Sequence, residues 1–281
     1  VAVLVPAIIG SHAVIYTEAA RAWIAGGDPW QVGPPAVVFA GPPPMLLPFL
    51  PFVALPGLAV RATWVVGSFV VAVWSLRRFG LPAYWIGFPP LVEAIVLGHP
   101  EVLLLGLLAL RGPLSGLAVI VKPYAGLPLL AERRWGALAL AAIALVVTIP
   151  VLPWPRFMAE LPAIASTLVR QSAGDSTFGQ PLLMIIGAVA LASLGLRRAL
   201  WLSVPVLWPY AQPIYKVVTV PALSPLLALA WSIPIPGSTL AGLILEATLL
   251  LLLRHDRLPR QLKPILQFEP RRQAAWPVPS S

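Results

Sequence analysis

Three separated stretches of this chain carry side chains able to move protons or hold an anion. The first supplies His12, Tyr16, Glu18, Arg21 and Asp28, the second His99 and Glu101, and the third Arg156, Glu160, Arg170, Asp175 and Gln180. His12, Glu18 and Asp28 are candidate bases, because an imidazole or carboxylate within about 3 Å of a hydroxyl can take its proton. Arg156, Arg170 and Lys122 are candidate anion holders, since a fixed cation stabilises charge on a departing phosphate. Each also has a plainer reading. Asp28 stands in Gly26-Gly27-Asp28-Pro29-Trp30, where a carboxylate closes a turn by accepting backbone N–H groups. His12 reads equally as a loop histidine, Glu18 as acidic charge near a helix N-terminus, and Lys122 and Arg156 as snorkelling or pairing cations. His99 and Glu101 are metal-capable, yet they are only two and no H-x-x-x-H spacing accompanies them, so no metal site is expected. A divalent ion has no ligand set to hold it. Glu93 and Glu246 fall inside apolar segments, where acids are candidates for function.

The elements that must position these groups follow from composition. Apolar residues make up 59% of the 281 residues, charged residues 10%, and mean hydropathy is +0.88. A soluble domain carries about 25% charge, so the composition reads as a polytopic membrane protein and against a soluble enzyme. It also excludes disorder and, lacking a G-x-y period, collagen. The formal charge of +9 gathers in Arg77-Arg78, Arg133-Arg134, Arg197-Arg198 and a tail containing Arg254, Arg257, Arg260, Lys263, Arg271 and Arg272. Basic pairs beside apolar segments suit the cytoplasmic side of a membrane better than nucleic acid. With no cysteine, disulfides and thiolate chemistry are excluded.

Along the chain, residues 1–10 read as the end of a helix whose beginning lies upstream. Residues 16–25 read as a short helix stopped by Gly26-Gly27, and 44–55 and 59–76 as apolar segments. Residues 82–97 and 99–110 are two short segments about the Gly98-His99-Pro100-Glu101 turn. Lys122-Pro123 splits 113–130 into two short helices. Residues 135–152 and 182–196 are further spans separated by a polar loop at about 153–181, and 199–252 hold two or three more. The expected fold is an all-α polytopic membrane protein of about seven to nine segments, with a transmembrane domain over 1–253 and a basic cytoplasmic tail over 254–281. The three polar stretches then fall on the outer face, where one cleft would suit a lipid-linked phosphate.

The string Tyr16-Thr17-Glu18-Ala19-Ala20-Arg21-Ala22, with Ala25-Gly26-Gly27-Asp28-Pro29-Trp30, resembles the Y-x-x-A-A-R-A…A-G-x-D-P-Y opening of glycosyltransferase family 87, the polyprenyl-phosphate-dependent mannosyltransferases. Phe39-Ala40-Gly41-Pro42-Pro43, followed by Leu46, Leu47, Pro48, Phe49 and Pro51, extends the likeness, as do Gly116-Leu117-Ala118, Lys122-Pro123 and Arg133-Arg134-Trp135. It covers roughly residues 10–150. The resemblance implies a glycosyltransferase C-like helix bundle in the cell membrane. It also implies a hexosyltransferase that moves a sugar, typically mannose, from a polyprenyl phosphate to a glycan or glycolipid at the extracytoplasmic face, with no cofactor. His12, Glu18 or Asp28 would be the base. Arg156, Arg170, Lys122, His99 and Tyr16 would hold the donor phosphate or substrate. The chain departs from the family at His12, where an Asp is usual, at Gly41 in place of a Tyr, and at His99 in place of a Gln. Two alternatives stand beside transfer: a degenerate homologue that binds glycolipid or scaffolds a complex, and a lipid or sugar transporter. The partners expected are the lipid-linked sugar, its acceptor and membrane lipids, without nucleic acid.

Overall fold

The computed structural model describes residues 8–34, 38–171, 175–209 and 211–254, and every statement below concerns these. The upstream-helix expectation for residues 1–10 falls mostly outside them, as does the tail beyond Arg254.

Helix α1 (Ser11–Ile24) starts after Gly10 at φ 66° and stops before Gly26 at φ 79°. The Asp28 carboxylate then accepts the Trp30 N–H at 2.9 Å, opening a 3-10 turn at Pro29–Gln31. Pro43–Phe52 is a longer 3-10 segment containing Pro48 and Pro51; their missing N–H groups disfavour a regular α-helix. Next come α2 (Gly57–Arg78), α3 (Pro89–Leu97) and α4 (Glu101–Ala109). The axes of α3 and α4 bend by 111° at Gly98-His99-Pro100. Lys122-Pro123 separates α5 (Leu117–Val121) from α6 (Gly126–Ala131), as the proline leads one to expect. The chain continues with α7 (Trp135–Thr148), α8 (Trp154–Gln171), α9 (Pro181–Ser193) and α10 (Leu196–Leu207). A 3-10 segment at Pro213–Ala222, then α11 (Pro225–Trp231) and α12 (Ser238–Arg254), complete the order.

Two apolar cores hold these elements. One gathers Tyr16, Phe39 and Phe49 with Leu104, Tyr124 and Trp201; the other gathers Leu91, Leu105, Val217, Trp231 and Leu243. Burial of each such side chain contributes roughly 1.5–3 kcal/mol. Buried charges in the second core are paired. Glu246 meets Arg198 at 2.6 Å and accepts from Ser224 at 2.8 Å. Lys216 meets Asp175 at 3.3 Å, and Thr239 donates to the same carboxylate at 3.1 Å. Glu246, a functional candidate by its place in an apolar segment, thus serves as a core ion pair. Arg198, expected as a membrane-face anchor, is its partner. Large apolar side chains remain exposed on α7 (Ile143, Val146, Val147) and α9 (Leu182, Ile185, Val189).

The expectation of seven to nine membrane segments is overturned. Among the described residues one helix, α2 with 22 residues, is long and apolar enough to cross a membrane, or two crossings result if the bent pair α3 and α4 counts as one. Chain breaks explain the shortfall. A crossing needs about 20 apolar residues at roughly 1.5 Å each, whereas α7 has 14 and α9 has 13. The glycosyltransferase C-like bundle and the multi-pass placement in the cell membrane depended on that count, and both fall with it. The expected polar loop at 153–181 also changes character: 154–171 form the amphipathic helix α8.

Candidate functional site

A small cleft opens between α1, the α3–α4 bend, the α5–α6 break and the start of the Pro213–Ala222 segment. Its polar lining is His12, Tyr16, His99, Lys122, Gln212 and Tyr215, with Ile15, Leu168 and other apolar groups between them. His12 and Tyr16 stand four residues apart on α1 and so share one helix face. His99 reaches the same place because Gly98 lets the bend press against α1. Gly98 sits at φ 70°, and a Cβ on it would meet Ala13 Cβ and Trp64 Cδ1 at 3.0 Å. The Gly10 N–H donating to Val96 O at 2.8 Å ties the two segments together there. Lys122 arrives by the Pro123 break, and Gln212 and Tyr215 by the turn after α10.

Behind the lining lies Glu101, fully buried in the first turn of α4, where the helix dipole favours a carboxylate. It contacts His99 Nδ1, accepts from the Tyr124 hydroxyl at 2.8 Å and lies 3.4 Å from Lys122 Nζ. The Glu101 contact at Nδ1 favours the tautomer with its proton there, which leaves Nε2 to accept from the Tyr16 hydroxyl 3.5 Å away. Lys122 donates to Tyr215 Oη at 3.3 Å and rests 4.9 Å from the centre of the Tyr215 ring. His12 packs edge-on against His99 with ring centres 5.0 Å apart. Stacking of Tyr16 on Phe49 at 5.0 Å holds the α1 side of the cleft.

The electrostatics follow from this arrangement. Burial, helped by the nearby Lys122 charge, lowers His12 from 6.5 to about 4. His99 falls well below its ordinary value through burial, then through His12 and Lys122. Both rings are neutral at neutral pH. Burial pushes Tyr16 up to about 12 against the pull of Lys122. For Lys122 burial opposes the charge, but Tyr215 and Tyr16 outweigh it and raise the ammonium above its ordinary value. The cleft therefore presents one positive charge, neutral imidazoles and hydroxyls, and no carboxylate on its surface.

Of the residues singled out from the sequence, His12, Tyr16, His99 and Lys122 come together here. Glu18 does not; it pairs with Arg21 on α1, whose guanidinium also donates to Val53 O at 2.7 Å. Asp28 is occupied with the Trp30 N–H. Arg156 is exposed and donates to Gly27 O at 2.6 Å, and the Arg170 side chain lies outside the described residues. Sugar transfer from a polyprenyl phosphate required these bases and cations around one outward cleft of a multi-span bundle. With the three expected bases apart and at most two crossings among the described residues, that function is overturned. The glycolipid-binding scaffold and the transporter assumed the same bundle and go with it. Among the described residues no three metal-capable side chains gather. Sequence reasoning missed Gln212 and Tyr215, whose only signal was polarity within an apolar run, and Tyr124, which looks like ordinary core.

Comparison with protein-family models, with curated proteins and with solved structures finds no match for this chain. The resemblance to family 87 rests on its motifs alone, and the site is read from its own chemistry.

Proposed function

We propose that the protein binds a small anionic molecule in this cleft, with Lys122 as the fixed positive charge. One observation carries the reading: the lining holds a buried ammonium among hydrogen-bond donors and no carboxylate, while its balancing acid, Glu101, stands behind the surface. Hydrogen bonds from a charged donor are roughly twice as strong as neutral ones. A buried ammonium with only long contacts to Tyr215 and Glu101, at 3.3 and 3.4 Å, retains capacity for a further acceptor. Calorimetric titration of inorganic phosphate and of acetate into the full chain tests the proposal. Saturable binding that weakens at least about tenfold, roughly 1.4 kcal/mol, in Lys122→Gln and is unchanged in Arg197→Gln supports it. Failure of both anions to bind refutes it.

A second reading, proton transfer to the bound molecule, is favoured by Glu101 at His99 Nδ1 with Nε2 turned toward Tyr16. It predicts hydrolysis of 4-nitrophenyl phosphate or acetate that His99→Gln abolishes. No turnover of either would remove it and leave binding alone.

A further inference from the structure

The hydroxyls around Lys122 differ in what each does with its proton. Tyr124 donates to Glu101 at 2.8 Å, and Tyr16 turns to His99 Nε2 at 3.5 Å. The Tyr215 hydroxyl accepts from Lys122 Nζ at 3.3 Å, which leaves its own proton without an acceptor among the described residues. Tyr215 is only 5% exposed, and a buried donor with nothing to donate to is costly. An ammonium with long contacts and a hydroxyl with a spare proton thus stand side by side, a pair of donors that suits the two oxygens of a carboxylate. Exposure divides the rest of the lining. Tyr16, His99, Lys122 and Tyr215 are buried and form a floor. Ile15, Val38, Ala40 and Leu168 are half-buried, as are His12 and Gln212, and form the mouth. The floor is charged and hydrogen-bonding, and the mouth is mainly apolar, with no acid, lysine or arginine. Charge at the floor already balances, Glu101 against Lys122, so every charge a ligand brings stays uncompensated and a single one costs least.

We propose that the ligand of this cleft is a short-chain monocarboxylate, with its head on Lys122 and Tyr215 and its alkyl tail against Ile15, Val38, Ala40 and Leu168. This rests on the anion-binding reading above and narrows it to one charge and an apolar tail. The ammonium and the Tyr215 O–H each donate to a carboxylate oxygen, so the buried hydroxyl gains the acceptor it lacks. Orientation follows from burial, because the reversed ligand would leave the ammonium and the hydroxyl facing hydrocarbon. A second carboxylate at the far end would lose water among the apolar side chains of the mouth and add a second uncompensated charge.

Titration calorimetry of the full chain at about pH 8, where every carboxylic acid used is ionised, compares acetate, butyrate and succinate, with phosphate as reference. Succinate has the length of butyrate, with a carboxylate in place of the methyl group. Butyrate should bind about tenfold tighter than acetate, through its further methylenes at the apolar mouth, and about tenfold tighter than succinate. This comparison uses the unaltered chain and stands whatever a substitution does to folding. Leu168→Ala should cut the advantage of butyrate over acetate to about threefold. Tyr215→Phe should weaken both by about tenfold without altering their ratio. Leu182→Ala, at an exposed position of α9 outside the cleft lining, should change neither affinity. Butyrate no tighter than acetate, succinate as tight as butyrate, or phosphate binding where no carboxylate binds overturns the proposal while leaving anion binding intact. If neither phosphate nor any carboxylate binds, both readings fail.

Discussion

Truncating the Glu101–Lys122 pair gives the sharpest test of how the cleft is built. Glu101 is 0% and Lys122 8% exposed, with 3.4 Å between Oε1 and Nζ. At an effective dielectric of about 20, two unit charges at that separation attract by about 5 kcal/mol, and desolvation of both groups offsets much of this. Removing either partner leaves the other charge buried without its counterion, at a cost of about 3–5 kcal/mol. Glu101→Gln further weakens what the Tyr124 hydroxyl and His99 meet. Lys122→Met leaves a carboxylate facing only hydrogen-bond donors. The double variant removes both charges together, so it should be destabilised by about 2–3 kcal/mol less than the sum of the singles. Urea unfolding followed by the fluorescence of the eleven tryptophans measures all four corners of the cycle. Each single variant should also lower Tm by about 6–20 °C, taking about 2–4 °C per kcal/mol for a chain of this size. Singles that add within about 0.5 kcal/mol would refute the claim that these two charges support one another.

Two further outcomes follow from the same geometry. Because His12 and His99 lie below their ordinary values in the folded protein, the unfolded chain binds more protons between the two values. Stability is therefore full above about 6.5 and falls as pH drops toward about 4. For His12 the loss amounts to about 3 kcal/mol at most, since it shifts from 6.5 to about 4; His12→Gln should flatten that part of the profile in acid-titrated melts, and an unchanged profile would contradict the assignment. At the bend, Gly98→Ala places a Cβ in a left-handed backbone and 3.0 Å from both Ala13 and Trp64. Loss of about 1–3 kcal/mol and weaker phosphate affinity are expected, whereas a variant as stable and as tight as the parent would show that the bend does not set the position of His99.

Local chemistry made many elements legible. Prolines and glycines marked the breaks at Gly26, Gly98 and Lys122-Pro123, and alanines in residues 16–25 marked the helix that proves to be α1, because these features act over one or two turns of chain. The polar stretch at 153–181 was misread because its apolar residues recur at helical spacing among charges, a pattern that composition conceals and periodicity reveals. The number of membrane crossings was misjudged for a related reason: apolar content was summed over segments that prolines cut below crossing length.

From the sequence alone it follows that the protein is helical, broken by proline, without cysteine chemistry, and that His12, Tyr16, His99 and Lys122 bear functional groups. Their meeting was decided by tertiary structure. Gly98 brings the α3–α4 bend against α1, Pro123 turns Lys122 inward, and Tyr215 arrives from a segment 93 residues beyond Lys122. Asp28 and Arg156, equally reactive on paper, are consumed by backbone hydrogen bonds at 2.9 and 2.6 Å. A side chain's chemistry belongs to its type, but its availability depends on which partners long-range packing places within reach.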